Sequence, residues 1–106
     1  MKRRTRDTAD DSEARLEALA VALAGLRGAE AFQAFLTDLC TPAELEALVD
    51  RWRVVPLLQQ GVPYREIHER TGVSVTTVGR VARTLDRGAG GYAIAARRAS
   101  RTHESH

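Results

Sequence analysis

The beginning of the chain carries two helical patterns of apolar positions. The leucines of the first pattern, Leu16, Leu19, Leu23 and Leu26, follow one another in steps of three, four and three positions. This spacing predicts a helix from about residue 12 to 26 with the leucines on one apolar face. The second pattern predicts a helix over residues 29–39 with a face formed by Phe32, Phe35, Leu36 and Leu39. No segment alternates apolar and polar residues as a half-buried strand does. The pattern therefore predicts an all-α protein.

A third helix is predicted to begin after Thr41. Pro42 suits the first helical position, where no N–H donor is needed, and Thr41 and Glu44 have the spacing of a capping box. The helix runs toward Gly61, and its predicted apolar face consists of Leu45, Leu48, Val49, Trp52 and Val55. Pro56 lies inside this helix and removes one of its backbone hydrogen bonds. We therefore expect a kink or a looser turn at Pro56.

Residues 63–85 have the spacing of a helix-turn-helix. A short helix opens near Pro63, buries Ile67 and ends at Thr71–Gly72, where glycine supplies the left-handed conformation of a tight turn. Val73 fills the corner, and Ser74 caps the next helix. The core face of that helix begins five residues after Val73 and consists of Val78, Val81, Ala82 and Leu85. Two helices packed at a steep angle around a short turn produce this spacing.

Positive charge is separated from negative charge along the chain. Residues 7–50 carry ten acids against two arginines, residues 63–106 carry eight arginines against four acids, and the net charge is +2. This separation is typical of a protein with one face toward a polyanion. No acid lies between Gly72 and Leu85, where the outer helix face offers hydroxyl and guanidinium groups. The composition favours a DNA-binding unit over a structural hairpin.

Each candidate DNA contact has a chemical reason. Arg80 can donate two hydrogen bonds to the edge of a guanine, and threonine can offer a hydroxyl to a base or a methyl group to thymine. Ser74 lies at a helix N-terminus, where free N–H groups favour a phosphate. Tyr64 and Arg65 open the first helix of the pair and can fix register by contacting the DNA backbone. The predicted DNA-binding residues are Tyr64, Arg65, Ser74, Val75, Thr76, Thr77, Arg80 and Arg83.

Short motifs on both sides of the helix-turn-helix carry a family resemblance. They are Asp38-Leu39-Cys40-Thr41 and Gly90-Gly91-Tyr92, with Leu57–Gly61 and Thr71–Ser74 between them. In these motifs the chain resembles the Trp-repressor-like YerC/YecD family and, more distantly, the tryptophan repressor. The resemblance implies an intertwined all-α homodimer that binds double-stranded operator DNA and regulates transcription, as a repressor. It places the dimer domain at residues 12–96, between disordered tails at 1–11 and 97–106.

The resemblance also implies a site for a small effector. In the tryptophan repressor two arginines sandwich the corepressor and a hydroxyl helps to hold its amino group, and the matching positions are Arg51, Arg80 and Thr84. An amino-acid effector is one interpretation of these residues, and arginines that face phosphate beside an empty cleft are the other. Two residues depart from the family pattern. Pro56 replaces a helix-compatible residue, and His68 stands where many helix-turn-helix proteins carry alanine.

Several kinds of chemistry are excluded. The single Cys40 allows no internal disulfide and no cysteine-based zinc finger, and the histidines lack metal-ligand spacing. No phosphate loop, paired-carboxylate site or Ser-His-Asp set is present, so the sequence predicts neither an enzyme nor a metal or cofactor beyond an amino-acid corepressor. No apolar run is long enough for a bilayer, and no secretory signal follows the basic N-terminus, so we expect no membrane partner and a cytoplasmic protein.

Two other functions are compatible with these helices. A sigma-type or response-regulator output domain uses a similar helix pair, although the two preceding helices and the Gly-Gly-Tyr motif favour the repressor architecture. A protein-interaction module that dimerises through its first leucine stripe, without binding DNA, is the second alternative. Binding of a random duplex at low salt, followed by its salt dependence, separates these alternatives from a DNA-binding regulator.

Overall fold

The computed structural model describes residues 9–104, with side chains for residues 11–100, and its regular elements are six helices. They are α1 (Ala9–Ala24), α2 (Ala29–Leu39), α3 (Pro42–Gln59), α4 (Tyr64–Thr71), α5 (Val75–Arg87) and α6 (Gly91–Glu104). The described part contains no strand, which confirms the all-α prediction. The chain divides into two compact units, one ending at Thr41 and the other beginning at Pro42. The family resemblance implied one dimer domain over residues 12–96, and this domain assignment stays a prediction.

The two ends of the described chain are more helical than the sequence analysis expected. Helix α1 begins at Ala9, inside the segment assigned as a tail, and ends at Ala24 rather than near residue 26. Asp11 lies in its first turn, where a carboxylate interacts favourably with the helix dipole. Helix α6 continues to Glu104 through the segment predicted to be a polar tail, because its alanines and arginines are strong helix formers. The remainder of both predicted tails, residues 1–8 and 105–106, lies outside the described residues.

The first unit exposes its apolar stripes. Helices α1 and α2 match the two predicted helices, and α2 has the predicted bounds. None of the described side chains of this unit is buried. Leu16 and Leu39 keep 67% and 52% of their surface exposed, and Phe32 is exposed as well. The other members of the two predicted faces are half-buried, so within a single chain these helices leave the predicted apolar face partly uncovered.

The second unit contains the hydrophobic core. Helix α3 packs against α4, α5 and α6, and α4 packs against α5. Leu85, at the end of α5, and Tyr92, in α6, border this core. The fully buried side chains are all β-branched: Val54, Val55, Ile67, Val73, Val78 and Val81. The predicted core positions of the helix-turn-helix are thus confirmed at Ile67, Val73, Val78 and Val81, whereas Ala82 and Leu85 are half-buried.

The apolar face predicted for α3 is largely wrong for the single chain. Leu48, Val49 and Trp52 are exposed, Val49 to 50%, whereas Val54 is fully buried although it lies off the predicted face. The packing of α4 and α5 covers α3 near Val54 and Val55, so of the predicted stripe Val55 is buried and Leu45 half-buried, while its other members are exposed. Pro56 does not interrupt the helix, which continues to Gln59. The proline removes one donor near the helix end, where few intrahelical bonds follow.

Candidate functional site

Helices α4 and α5 form a helix-turn-helix with the predicted turn. Gly72 ends α4 in the left-handed region, at φ 80°, and its N–H donates to the carbonyl of His68 at 2.7 Å. A residue with a side chain is strained at this φ, which explains the glycine. Val73 follows with 4% of its surface exposed and joins the core between the helices. The turn therefore sets the direction of α5 through backbone geometry and one buried side chain.

Side chains on both sides of the turn hold it by hydrogen bonds. The hydroxyl of Thr71 donates to the carbonyl of Ile67 at 2.7 Å and accepts from the N–H of Val73 at 3.1 Å. The Nδ1 atom of His68 lies 2.8 Å from the carbonyl oxygen of Val73. Because a carbonyl only accepts, Nδ1 carries the proton in this contact. His68, which stands where many helix-turn-helix proteins carry alanine, thus links the end of α4 to Val73 in the turn.

The hydroxyls at the start of α5 are occupied by capping. Ser74 accepts from the N–H of Thr77 at 3.1 Å, which confirms the predicted N-cap. Its hydroxyl also lies 3.1 Å from that of Thr77, which is half-buried. The hydroxyls of Ser74 and Thr77 thus already have partners within α5. Of the four residues predicted at the start of this helix, Val75 and Thr76 are the ones whose side chains project freely into solvent.

The arginines near the helix-turn-helix fall into two groups. Three have carboxylate neighbours: Arg53 lies 3.9 Å from Asp50, Arg70 pairs with Glu66, and Arg87 lies 3.6 Å from Asp86. Among the described side chains, no carboxylate pairs with the three arginines predicted to contact DNA, namely Arg65, Arg80 and Arg83. All three are exposed. Within the helix-turn-helix, the guanidinium groups predicted to contact DNA are therefore those left without an anion.

Arg53 is a positioning residue that the sequence analysis missed. Its Nη1 donates to the carbonyl of Thr71 at 3.2 Å, so a side chain from α3 caps the last turn of α4. The C-terminal end of a helix has unpaired carbonyls, and a cation at that end also interacts favourably with the helix dipole. The two residues are 18 positions apart, and no local pattern reports such a pairing. Arg53 links α3 to the first helix of the helix-turn-helix.

Of the three residues of the predicted effector site, Thr84 makes a hydrogen bond within its own helix and borders a cavity that the two arginines do not line. The hydroxyl of Thr84 donates to the carbonyl of Arg80 at 3.1 Å, within α5. Thr84 also borders a cavity of about 350 Å³ between the end of α5 and the start of α6, which neither Arg51 nor Arg80 lines. Arg51 is half-buried on α3. The effector site stays a prediction.

Comparison with known proteins identifies the family. Residues 14–100 match the family described as Trp repressor protein. The chain belongs to the Trp repressor family. It is similar to the uncharacterized protein YerC of Bacillus subtilis (strain 168), with 34% identity over 87 residues that span 82% of this chain and 84% of YerC. It is also similar to the crystal structure of a proposed Trp repressor from Staphylococcus aureus, with a TM-score of 0.77, 30% identity and coverage of 89% of this chain and 96% of that one.

Membership of the Trp repressor family confirms the predicted resemblance and fold. The family is one of DNA-binding regulators rather than of enzymes. Within residues 9–104, no helix combines the length and apolarity that crossing a bilayer requires. The described side chains also contain no cluster of three or more His, Cys, Asp or Glu residues that could hold a metal ion.

Proposed function

We propose that this chain is a sequence-specific DNA-binding transcriptional regulator that inserts α5 into the major groove. The observation that supports it concerns the arginines of the helix-turn-helix. Arg65, Arg80 and Arg83 are exposed and have no carboxylate partner among the described side chains, whereas the other arginines of α4 and α5 have carboxylate neighbours. Unpaired guanidinium groups gain most from a polyanion, because they lose no existing ion pair on binding. Membership of the Trp repressor family supports the same assignment.

Within this proposal the exposed residues have different roles. Arg80 lies in the first half of α5 and reads a guanine edge, while Thr76, one turn earlier, contacts a base or a thymine methyl group. Arg65 and Arg83 contact phosphates and set the register of the helix pair on the duplex. Ser74 and Thr77 act by fixing the start of α5, since their hydroxyls are used in its cap. We expect the protein to act in the cytoplasm, as a repressor at its operator.

Salt dependence tests the phosphate contacts. We expect Arg65→Ala and Arg83→Ala each to weaken binding to every duplex and to lower the slope of log affinity against log salt by about 0.9. A mobility shift of a random duplex over a series of salt concentrations measures both effects. Arg70→Ala is the matched control, since Glu66 already holds that guanidinium and the slope should stay unchanged. A wild-type protein that binds no duplex at low salt would leave the protein-interaction module as the function.

We also propose that the protein acts as a two-fold dimer. No residue of the apolar stripes of α1 and α2 is buried in the single chain, Leu16, Phe32 and Leu39 are exposed, and soluble monomers rarely leave large apolar patches uncovered. A second copy that covers them would bring two helix-turn-helix units to two half-sites of an operator.

Light scattering at micromolar concentration measures the assembly. We expect a mass of twice 11.6 kDa for the wild-type chain. Leu16→Lys should shift the protein toward the monomer, because it places a charge on the exposed leucine stripe. Glu17→Lys is the control: it introduces the same side chain at the next position, off the stripe, and should leave the dimer intact. A stable, folded wild-type monomer would overturn the dimer.

An amino-acid effector at Arg51, Arg80 and Thr84 remains part of the proposal. Such a ligand would act by shifting the population of α5 orientations toward one that fits the operator. An effector predicts that one of the common amino acids, at millimolar concentration, changes the affinity for operator by about fivefold or more, whereas arginines that face phosphate beside an empty cleft predict no change. Arg51→Ala should abolish the change without altering binding in the absence of the ligand. If none of the amino acids has an effect, the protein binds DNA without an effector.

A further inference from the structure

Two side chains from different helices meet over the glycine in the middle of α5. A Cβ atom placed on Gly79 would lie 3.7 Å from Nη1 of Arg83 and 3.8 Å from Cε2 of Tyr64. Arg83 belongs to the same helix as Gly79, whereas Tyr64 opens α4. The guanidinium and the aromatic ring therefore border one shallow space whose floor is the backbone of α5.

The backbone conformation does not explain a glycine at this position. Gly79 has no positive φ, unlike Gly72, and it lies inside a regular helix. Glycine in a helix interior is less stable than alanine, and a methyl group here would meet its neighbours at ordinary van der Waals distance. The fold therefore tolerates a side chain at Gly79. What the glycine provides is a gap between Tyr64 and Arg83 that a methyl group would fill, wide enough for one phosphate oxygen.

Both borders of this space offer unused hydrogen-bond donors. Tyr64 is 44% exposed and Arg83 is exposed. Among the described residues, neither the hydroxyl of Tyr64 nor the guanidinium of Arg83 has a hydrogen-bond or ion-pair partner. The acids that could compete on these two helices are Glu66, Glu69 and Asp86. Of these, Glu66 pairs with Arg70 and Asp86 lies beside Arg87.

We propose that the space over Gly79 binds one DNA phosphodiester, with Arg83 as the charged donor and Tyr64 as the hydroxyl donor. The proposal rests on DNA binding by α4 and α5 and adds that two helices share one phosphate. A charged guanidinium and a phenol are strong donors to phosphate oxygens. A phosphate held between α4 and α5 fixes the depth of α5 in the groove, because both helices must then approach the same point of the backbone.

Neutral phosphate substitution tests whether the phosphate is shared. A duplex selected from a random pool by the wild-type protein is synthesised with a methylphosphonate at one position at a time. The wild-type protein should lose affinity at each contacted position. Tyr64→Phe and Arg83→Ala should each reduce the loss at one and the same position, because each variant keeps only one of the two donors, and each should weaken binding of the unmodified duplex about tenfold. Arg65→Ala, as the matched control, should abolish the loss at a different position.

Gly79→Ala supplies a second test with effects of opposite sign. We expect the unfolding temperature to rise or stay unchanged, because alanine suits the helix. Affinity for the selected duplex should fall about tenfold, the equivalent of one charge-assisted hydrogen bond, because the methyl group occupies the phosphate's space. Gly91→Ala, at the start of α6 where an added Cβ meets nothing within 4 Å, should leave affinity unchanged.

The possible outcomes separate the site from the proposed function. If the wild-type protein selects no duplex, DNA binding itself fails, and the site fails with it. If it selects a duplex but Tyr64→Phe and Arg83→Ala act at different phosphates, the shared site is overturned while DNA binding stands. Unchanged affinity in Gly79→Ala would likewise overturn the site. A smaller methylphosphonate effect than in the wild-type protein at one common position in both variants, with a folded Gly79→Ala protein that binds weakly, supports it.

Discussion

Ile67→Ala should lower the free energy of unfolding by about 2–5 kcal/mol. Ile67 is fully buried where α4 meets α5, and its removal leaves a cavity among Val54, Val78 and the other valines of the core. Those neighbours are short and stiff, so they cannot move far enough to fill the gap. Urea denaturation followed by circular dichroism measures the change.

Two matched variants make the Ile67 prediction specific. Ile67→Val removes one methylene from the same place and should lower stability by about 0.5–1.5 kcal/mol. Val75→Ala truncates an exposed side chain at the start of α5 and should change stability by no more than about 0.5 kcal/mol. Equal losses in Ile67→Ala and Val75→Ala would show that the packing around Ile67 does not hold the helix pair together.

Arg80→Ala should weaken sequence discrimination by about 1–3 kcal/mol, while binding to random DNA persists. Arg80 is exposed on the outer face of α5 and has no carboxylate partner among the described side chains, so its guanidinium is available to a base edge. The quantity to measure is the ratio of two affinities, one for a duplex selected by the wild-type protein and one for a random duplex.

The ratio distinguishes base reading from general attraction to DNA. Arg87→Ala removes the same charge from the same helix, but Asp86 lies beside that guanidinium, so the ratio should stay near the wild-type value. Arg83→Ala should weaken both affinities together and leave their ratio unchanged. An unchanged ratio in Arg80→Ala would contradict the assignment of Arg80 as a base-reading residue.

The helix-turn-helix was predictable because its determinants are local. The glycine of the turn, the serine cap and the buried positions all lie within a few residues of one another, and each follows from the geometry of two short helices around a tight turn. The bounds of α2 were predictable for the same reason. The apolar face of α3 was not, because burial on that helix depends on where α4 and α5 pack, which helical periodicity does not specify.

The candidate site was predictable in its chemistry but not in its contacts. The sequence identified Arg65, Arg80 and Arg83 from residue type and helix face. It did not reveal that Ser74 and Thr77 use their hydroxyls on each other, since a cap and a DNA contact require the same residue type. Arg53 was missed because its partner, the carbonyl of Thr71, belongs to another helix.

The all-β-branched core has a consequence for molecular recognition. Valine and isoleucine are restricted at χ1, so a core built from Val54, Val55, Ile67, Val73, Val78 and Val81 has few alternative packings. We expect a core with so few alternatives to narrow the range of angles between α5 and α4 before any partner binds. Binding then requires little further ordering of the helix pair, so the conformational entropy that the helix pair loses on association is correspondingly small. Rigid side chains far from the exposed face thus contribute to affinity at that face.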